Sequence, residues 1–335
     1  MAQISQEEFH KTYKTKIEPL LADLEAERVT VAKKSKPFIA LVIISLFLFL
    51  LCAFILKSDN AKVFAVIFFI TGILFYWPIY SMYSKLRDKL KQNIISKIFK
   101  MYGNMYFSGK KDIITAYEIR KMGLFPRFAS KSDDDIVIGI HKNCNFVISE
   151  TRLTHTEKRG KSTTTVTDFG GLIVKIQMNK KFAGQTIIGM KGFIQKPGNN
   201  FEEVKLESVD FMKSRKVYAT DQIEARYILT TSFIERIEAL GDVFHHERSK
   251  NTNSTFEIPK TGIDFVDNMI GSAYVVSAGF VDGYVYLFVP TEEDFFEIPA
   301  NKSLYNENLY YNICTELDSI LGIIEYLHID QKTGL

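Results

Sequence analysis

Two uninterrupted apolar runs stand near the start of the chain, Phe38–Leu56 and Val63–Tyr80, nineteen and eighteen residues without a charged side chain. At 1.5 Å per residue each is long enough to cross a bilayer core of about 30 Å. Neither keeps the polar stripe that a helix buried in a soluble core shows. Only Lys57–Lys62 (KSDNAK) separates them, too short a link to recross the bilayer. The pattern predicts a transmembrane helical hairpin over 37–80, with spans at about 38–56 and 63–80 and both outer ends on one side.

Charge placement selects that side. Residues 17–36 carry Arg28, Lys33, Lys34 and Lys36, and residues 81–100 carry Lys85, Arg87, Lys89, Lys91, Lys97 and Lys100. The link carries only Lys57 and Lys62. Ten against two puts both termini in the cytoplasm. Tyr76, Trp77, Tyr80 and Tyr83 gather at the exit of the second run, where amphipathic rings favour a lipid–water boundary, and Pro78 is expected to kink or end the last turn there. The expected membrane-anchoring residues are therefore Lys33, Lys34, Lys36, Tyr76, Trp77, Tyr80, Lys85, Arg87, Lys89 and Lys91. A cleaved leader fits poorly, because acids precede the first run and no small-x-small site follows it.

Helical periodicity flanks the hairpin. Phe9, Tyr13, Ile17, Leu20, Leu21 and Leu24 recur at three- and four-residue steps over an amphipathic segment, 1–36, with Pro19 expected to kink or divide it. Leu86, Leu90, Ile94, Ile98 and Tyr102 do the same within a basic juxtamembrane helix and linker, 81–130, and Gly103 is placed to stop that helix. The two stripes suit a packed stalk; the alternative is a helix lying in the membrane interface.

From about Lys131 the period drops to two. Ile136–Ile140, Phe146–Ile148, Thr163–Thr167, Leu172–Ile176 and Thr186–Ile188 read as strands, with Asn143, Gly170-Gly171, Asn179 and Gly184 as turn residues. Further strands are expected at Val204–Leu206 and Lys216–Ala219, and Glu157–Ser162 as a hairpin loop. Asp221-Gln-Ile-Glu224 and Ser232-Phe-Ile-Glu235 have capping-box spacing. Val281-Asp282-Gly283 marks a hairpin, and Asn308–Leu327 a helix. The expected fold is α+β: the hairpin with flanking cytoplasmic helices, then a largely antiparallel sheet domain with packed helices over 131–335.

Charge changes the picture of partners. Residues 81–111 hold eight basic side chains against Asp88, whereas residues 112–335 hold 25 basic and 31 acidic ones. A basic collar beside anionic head groups and an acidic body beyond it suit a domain held off a membrane, and an acidic body repels nucleic acid. Overall the chain has 46% apolar residues and a formal charge of +3, which excludes wholesale disorder. Three cysteines exclude a disulfide scaffold; Cys144 and Cys314 are expected as reduced core residues.

Motif chemistry is sparse. Gly103-x5-Gly109-Lys110-Lys111 departs from a phosphate loop in spacing and lacks the Ser/Thr. Asp168-Phe169-Gly170 lacks its kinase companions. His245-His246-Glu247 and Asp133-Asp134-Asp135 lack the spacing of metal sites, so no metal or cofactor is expected. Asp221, Glu224 and Arg226 form the densest polar group among apolar neighbours, a low-ranking catalytic candidate that helix capping also explains.

Four stretches carry a resemblance: Asp134-Asp135-Ile136-Val137-Ile138-Gly139, Phe182-Ala183-Gly184-Gln185-Thr186, Val217–Thr230 (VYATDQIEARYILT) and Asp282-Gly283-Tyr284-Val285-Tyr286. With the two spans, they resemble an uncharacterised bacterial two-span membrane protein family, domain of unknown function three-one-three-seven. The resemblance implies a bacterial inner (plasma) membrane location and brings no activity. The expected function is a membrane-anchored cytoplasmic module that binds a protein or assembles with itself; the alternative is an enzyme of unknown chemistry acting on a membrane-proximal substrate.

Overall fold

The computed structural model describes residues 6–55, 59–101, 103–108, 112–178, 182–238, 276–291 and 294–327. Two long helices open the chain, α1 at Gln6–Phe54 and α2 at Asn60–Lys100. Each is interrupted only by wider π turns, Tyr13–Ile17 and Leu51–Ile55 in the first, Lys91–Ile95 in the second. Pro19 does not divide the helix into two. It sits in the first turn after a π turn, where the ring clash and the missing N–H are absorbed. Pro78 likewise lies inside α2 rather than ending it.

The described residues fall into two compact units, one from 2–101 with 296–315, the other from 102–295 with 316–335. In the helical unit α1 and α2 lie side by side. Ser35 Oγ meets Tyr83 Oη at 3.4 Å, and Glu27 pairs with Lys89. Both apolar stripes are buried, through Phe9, Tyr13, Ile17, Leu21 and Leu24 on one helix and Leu86, Leu90, Ile94 and Ile98 on the other. Segment 296–315 packs against them. Phe296 meets Phe99 edge-on at 5.1 Å, Tyr310 stacks on Tyr13 at 5.9 Å, and Tyr311 meets Phe9 at 5.4 Å.

Glu25 fastens this segment. Its carboxylate takes Arg28 Nη2 at 2.6 Å and Nε at 2.9 Å, and accepts the Leu304 N–H at 2.9 Å. The Arg28 guanidinium holds the carboxyl below its ordinary 4.5.

The second unit is built on one antiparallel sheet: β1 Met105–Phe107, β2 Ser130–His141, β3 Cys144–Arg159, β4 Ser162–Gln177, β5 Thr186–Met190, β6 Glu202–Glu203, β7 Arg215–Ala219, β8 Ser277–Val281 and β9 Tyr284–Pro290. Spatial order is β1-β2-β3-β4-β9-β8-β5-β7-β6. Two tight hairpins follow from turn chemistry. Lys142-Asn143 (φ 47° and 64°) joins β2 to β3, and Asp282-Gly283 (φ 54° and 80°) joins β8 to β9, the paired positive φ that a two-residue turn requires. The strand expected at Val204–Leu206 is realised two residues earlier, as the short edge strand β6.

Central strands are buried on both faces. Ile173, Tyr286 and Phe288 share a core with Ile119, Met122, Leu124 and Phe128, the first of which belongs to helix α3, Ala116–Lys121. Alternate residues Leu172, Val174, Ile176, Val285 and Leu287 point the other way and are buried too. Gly170-Gly171, expected as a turn, instead lies within the continuous strand β4. Gly171 (φ +147°) is there because β9 crowds it: a Cβ would stand 2.2 Å from the Val289 carbonyl oxygen. Three further helices are α4 Val209–Ser214, α5 Gln222–Ile228 and α6 over 231–238, and the last is α7, Glu307–Tyr326.

Glu25→Ala is expected to cost about 2 kcal/mol, the scale of a charge-assisted bond to a buried donor. Glu27→Ala, which breaks only an exposed pair, should cost less than about 1 kcal/mol. Urea unfolding of the two variants measures the contrast. The Glu25 contribution should vanish as pH falls below the 4.5 of the unfolded carboxyl.

Candidate functional site

Three places on the molecule hold the residues singled out by sequence: the hairpin surface, the start of α5 and the polar clusters of the sheet. The hairpin is inside out. Between the helices sit small and hydroxylated residues, with Ser45 Oγ donating to the Phe68 carbonyl at 3.0 Å and meeting Thr71 Oγ1 at 2.8 Å. Cys52, Ala61 and Ala65 pack together in the same seam. The outside carries Ile43, Phe47, Phe54, Val63, Ile70 and Leu74, each half or more exposed. Only 11% and 6% of the most apolar stretches of α1 and α2 are buried.

At one end of this surface Trp77 is 69% exposed, with Tyr76 and Tyr80 beside it at ring separations of 6.4 Å from Tyr80. Lys33, Lys34, Lys36, Lys85 and Lys89 are exposed and Arg87 is half-buried, although Lys89 is bound to Glu27. Lys91 differs. It is buried and paired with Glu297 inside the helical unit, so its charge is directed at protein.

At α5 each of the three candidate side chains bonds to backbone groups of the protein. Asp221 is the N-cap, its Oδ1 accepting the N–H groups of Ile223 at 2.8 Å and Glu224 at 3.0 Å. Glu224 has capping-box spacing but reaches elsewhere. Its Oε1 accepts from Ala183 N at 2.8 Å and its Oε2 from Gly184 N at 2.6 Å. Thr220 Oγ1 takes the next N–H, of Gln185, at 2.8 Å. Three successive backbone donors of the loop before β5 are thus held by residues at the start of α5. A Cβ at Gly184 would lie 2.4 Å from Glu224 Oε2, so a larger residue there would displace the carboxylate. Arg226 is exposed and donates to the Gln222 carbonyl at 3.0 Å, stiffening its own helix. The second expected capping box is shifted: Thr230, not Ser232, accepts the Phe233 N–H, at 3.3 Å.

On the sheet, Glu118 of α3 ties the helix to the strands. It closes a capping box with Thr115, accepts Lys175 Nζ at 2.6 Å and accepts Tyr286 Oη at 3.0 Å. Lys175 in turn lies over the Tyr284 ring at 4.6 Å. Asp133 binds Lys131 and Thr151 rather than standing open for a cation. Glu150 faces Asp135, Asp294 and Asp134, and burial, followed by these charges, pushes its pKa up to about 7 against the one Phe295 N–H it accepts. Sequence gave no sign of this, since the four acids come from three separate stretches. Among the described residues no three His, Cys, Asp or Glu side chains are grouped to hold a metal ion. Cys52, Cys144 and Cys314 are buried thiols. His245-His246-Glu247 and the Gly109-Lys110-Lys111 end of the glycine pattern lie outside the described residues.

Residues 167–257 and 266–329 match the model of a family described as "Protein of unknown function (DUF3137)". That range contains the 182–186 loop, the 217–230 run and the 282–286 hairpin, so the loop and helix joined by Glu224 both belong to it; the Asp134–Gly139 stretch does not. No curated protein matches the chain at a significant level. Among solved structures, the crystal structure of the mycobacterial trehalose monomycolate transport factor A aligns at 10% identity and a TM-score of 0.32, over 69% of this chain and 92% of that one. That likeness is too slight to transfer fold or function.

Glu224→Ala is expected to cost about 2–3 kcal/mol by leaving two N–H groups of the 182–186 loop without their acceptor, measurable by denaturant unfolding; Glu224→Gln should recover part of the loss. For Glu150 the folded pKa of about 7 exceeds the ordinary 4.5, so the native state binds the extra proton. Stability should therefore fall as pH rises from 4.5 towards 7, by up to about 3 kcal/mol. Glu150→Gln should flatten that slope in thermal scans.

Proposed function

We propose that this chain, whose residues 167–257 and 266–329 match the DUF3137 family model, is a two-span bilayer-anchored protein of a bacterial inner membrane. Both termini are cytoplasmic, and the α+β head is a module that binds a protein partner or assembles with itself. The observation that carries the anchor is the inverted hairpin. Its polar groups satisfy one another inside while its large apolar side chains face outward. Leaving such side chains in water forfeits about 1.5–3 kcal/mol each, a total of tens of kcal/mol that an apolar solvent removes.

The exposed rings of Tyr76, Trp77 and Tyr80 and the exposed Lys33, Lys34, Lys36 and Lys85 support a boundary at the ends of the spans. Each such lysine near anionic head groups is worth about 1 kcal/mol. For the head, binding is favoured over catalysis by what the candidate trio does. Asp221 and Glu224 spend their oxygens on backbone N–H groups, which weakens the rival reading of an enzyme acting on a membrane-proximal substrate. The acidic balance of residues 112–335 speaks against nucleic acid as the partner.

Alkaline carbonate extraction tests the anchor: the wild-type chain should stay with the membranes. Phe47→Lys with Ile70→Lys, each costing about 2.5–3.5 kcal/mol at mid-span, should release or degrade it. Release of the wild-type chain would overturn the anchor. For the topology, cysteines placed at Lys36 and Lys85 should react with an impermeant maleimide only after the cells are opened; labelling of intact cells would invert the assignment. For the head, the full chain in nanodiscs should run as an oligomer or carry a specific co-purified protein, and a bare monomer would sink the module.

A further inference from the structure

Strands β3 and β4 outrun their neighbours. Strand β2 pairs with β3 only as far as Thr154, and β9 joins β4 only from Gly171 onward. Among the described pairings His155–Arg159 and Ser162–Val166 bond solely to each other, around Gly160. The result is a two-stranded arm with exposed Lys158 and Lys161 at its tip. A ribbon of two strands is marginal in water, so contacts at its root decide whether it is ordered.

That root holds a histidine between two carboxylates. The ladder slips between Leu153 and Thr154, which face Phe169 and Thr167, so that Asp168 has no partner opposite it in the ladder. Its Oδ2 reaches His155 Nδ1 at 2.7 Å, while His155 Nε2 meets Glu157 Oε1 at 3.2 Å. His155 and Asp168 expose only 10% and 11% of their side chains. The charged groups acting on the imidazole are Asp168 on β4 and Glu157 on β3; Arg127, from the segment before β2, lies 3.9 Å from the same Glu157 oxygen.

Ionised carboxylates only accept, and a neutral imidazole has one N–H to give. Satisfying both acids requires the imidazolium. We propose that His155 is a proton-operated latch: doubly protonated, it bridges Asp168 and Glu157 and holds the basic-tipped arm in register with the sheet, and on losing one proton it releases one carboxylate and loosens the arm. Asp168 first, then Glu157, raise the His155 pKa above its ordinary 6.5. The sign follows. The latch contributes fully below 6.5 and is lost as pH climbs through the higher folded value.

Hydrogen exchange on the full chain in nanodiscs tests this, with amide protection over 154–167 read against the intrinsic rate at each pH between about 5.5 and 8.5. Protection in the arm should drop about tenfold across the His155 titration, while residues 144–152, flanked by β2 and β4, stay level. His155→Gln should show low protection at every pH. Asp168→Asn should move the transition to lower pH. A flat wild-type profile, or a His155→Gln arm that keeps the wild-type response, would overturn the latch. Should the variants fail to fold, the imidazole proton resonance of the wild-type chain decides: a His155 midpoint at or below 6.5 rejects the proposal.

Discussion

A hydroxyl inside the hairpin fixes how its two helices face each other. Ser45 spends its donor and acceptor on the Phe68 carbonyl and Thr71, and the rotation that allows this also brings Ala61, Ala65 and Cys52 into the seam. Once these residues look inward, the remaining positions of both helices have to look outward, and they are phenylalanine, isoleucine, leucine and valine. Small residues let the helices approach and polar ones hold them, as expected where water supplies no drive for helix association. The demand for an apolar environment is thus a consequence of side-chain size and hydrogen bonding along one seam.

Beyond the apolar runs the same helices pack with large apolar side chains inside. Phe9, Tyr13, Leu90 and Phe99 are buried, and segment 296–315 supplies aromatic partners to Phe9, Tyr13 and Phe99. Glu25 joins two interactions that sequence keeps far apart, a local arginine three residues on and a backbone donor at Leu304. In the sheet unit Glu118 does the equivalent for α3, and Glu224 for the loop before β5. In each case a glutamate reaches from a helix to a distant stretch of chain and satisfies donors there.

What sequence made legible was local. Uncharged runs announced the hairpin, positive-φ residues at Asn143 and Asp282-Gly283 announced the tight turns, and the 3.6-residue period of the last helix placed Ile313, Leu317, Ile320 and Ile324 inside. What escaped depended on partners far along the chain. The Gly170-Gly171 pair looked like a turn because nothing nearby reveals that β9 presses on it. Glu224 had the spacing of a capping residue, yet two N–H groups some forty positions earlier won its carboxylate. Lys91 counted as one more basic residue of the collar until Glu297 and burial removed it. His155 and Asp168 meet across two paired strands, thirteen positions apart, where no sequence period points to the contact. Prolines 19 and 78 end no helix: Pro19 falls in the first turn after a π segment and Pro78 lies inside α2.

The chain owns a single tryptophan, and the fold leaves that indole exposed at the rim of the apolar hairpin. Red-edge excitation of the intact molecule therefore addresses one location. On the proposed anchoring, brominated or spin-labelled lipids would dim it according to how deep the indole rides, giving a native depth gauge that needs no added dye.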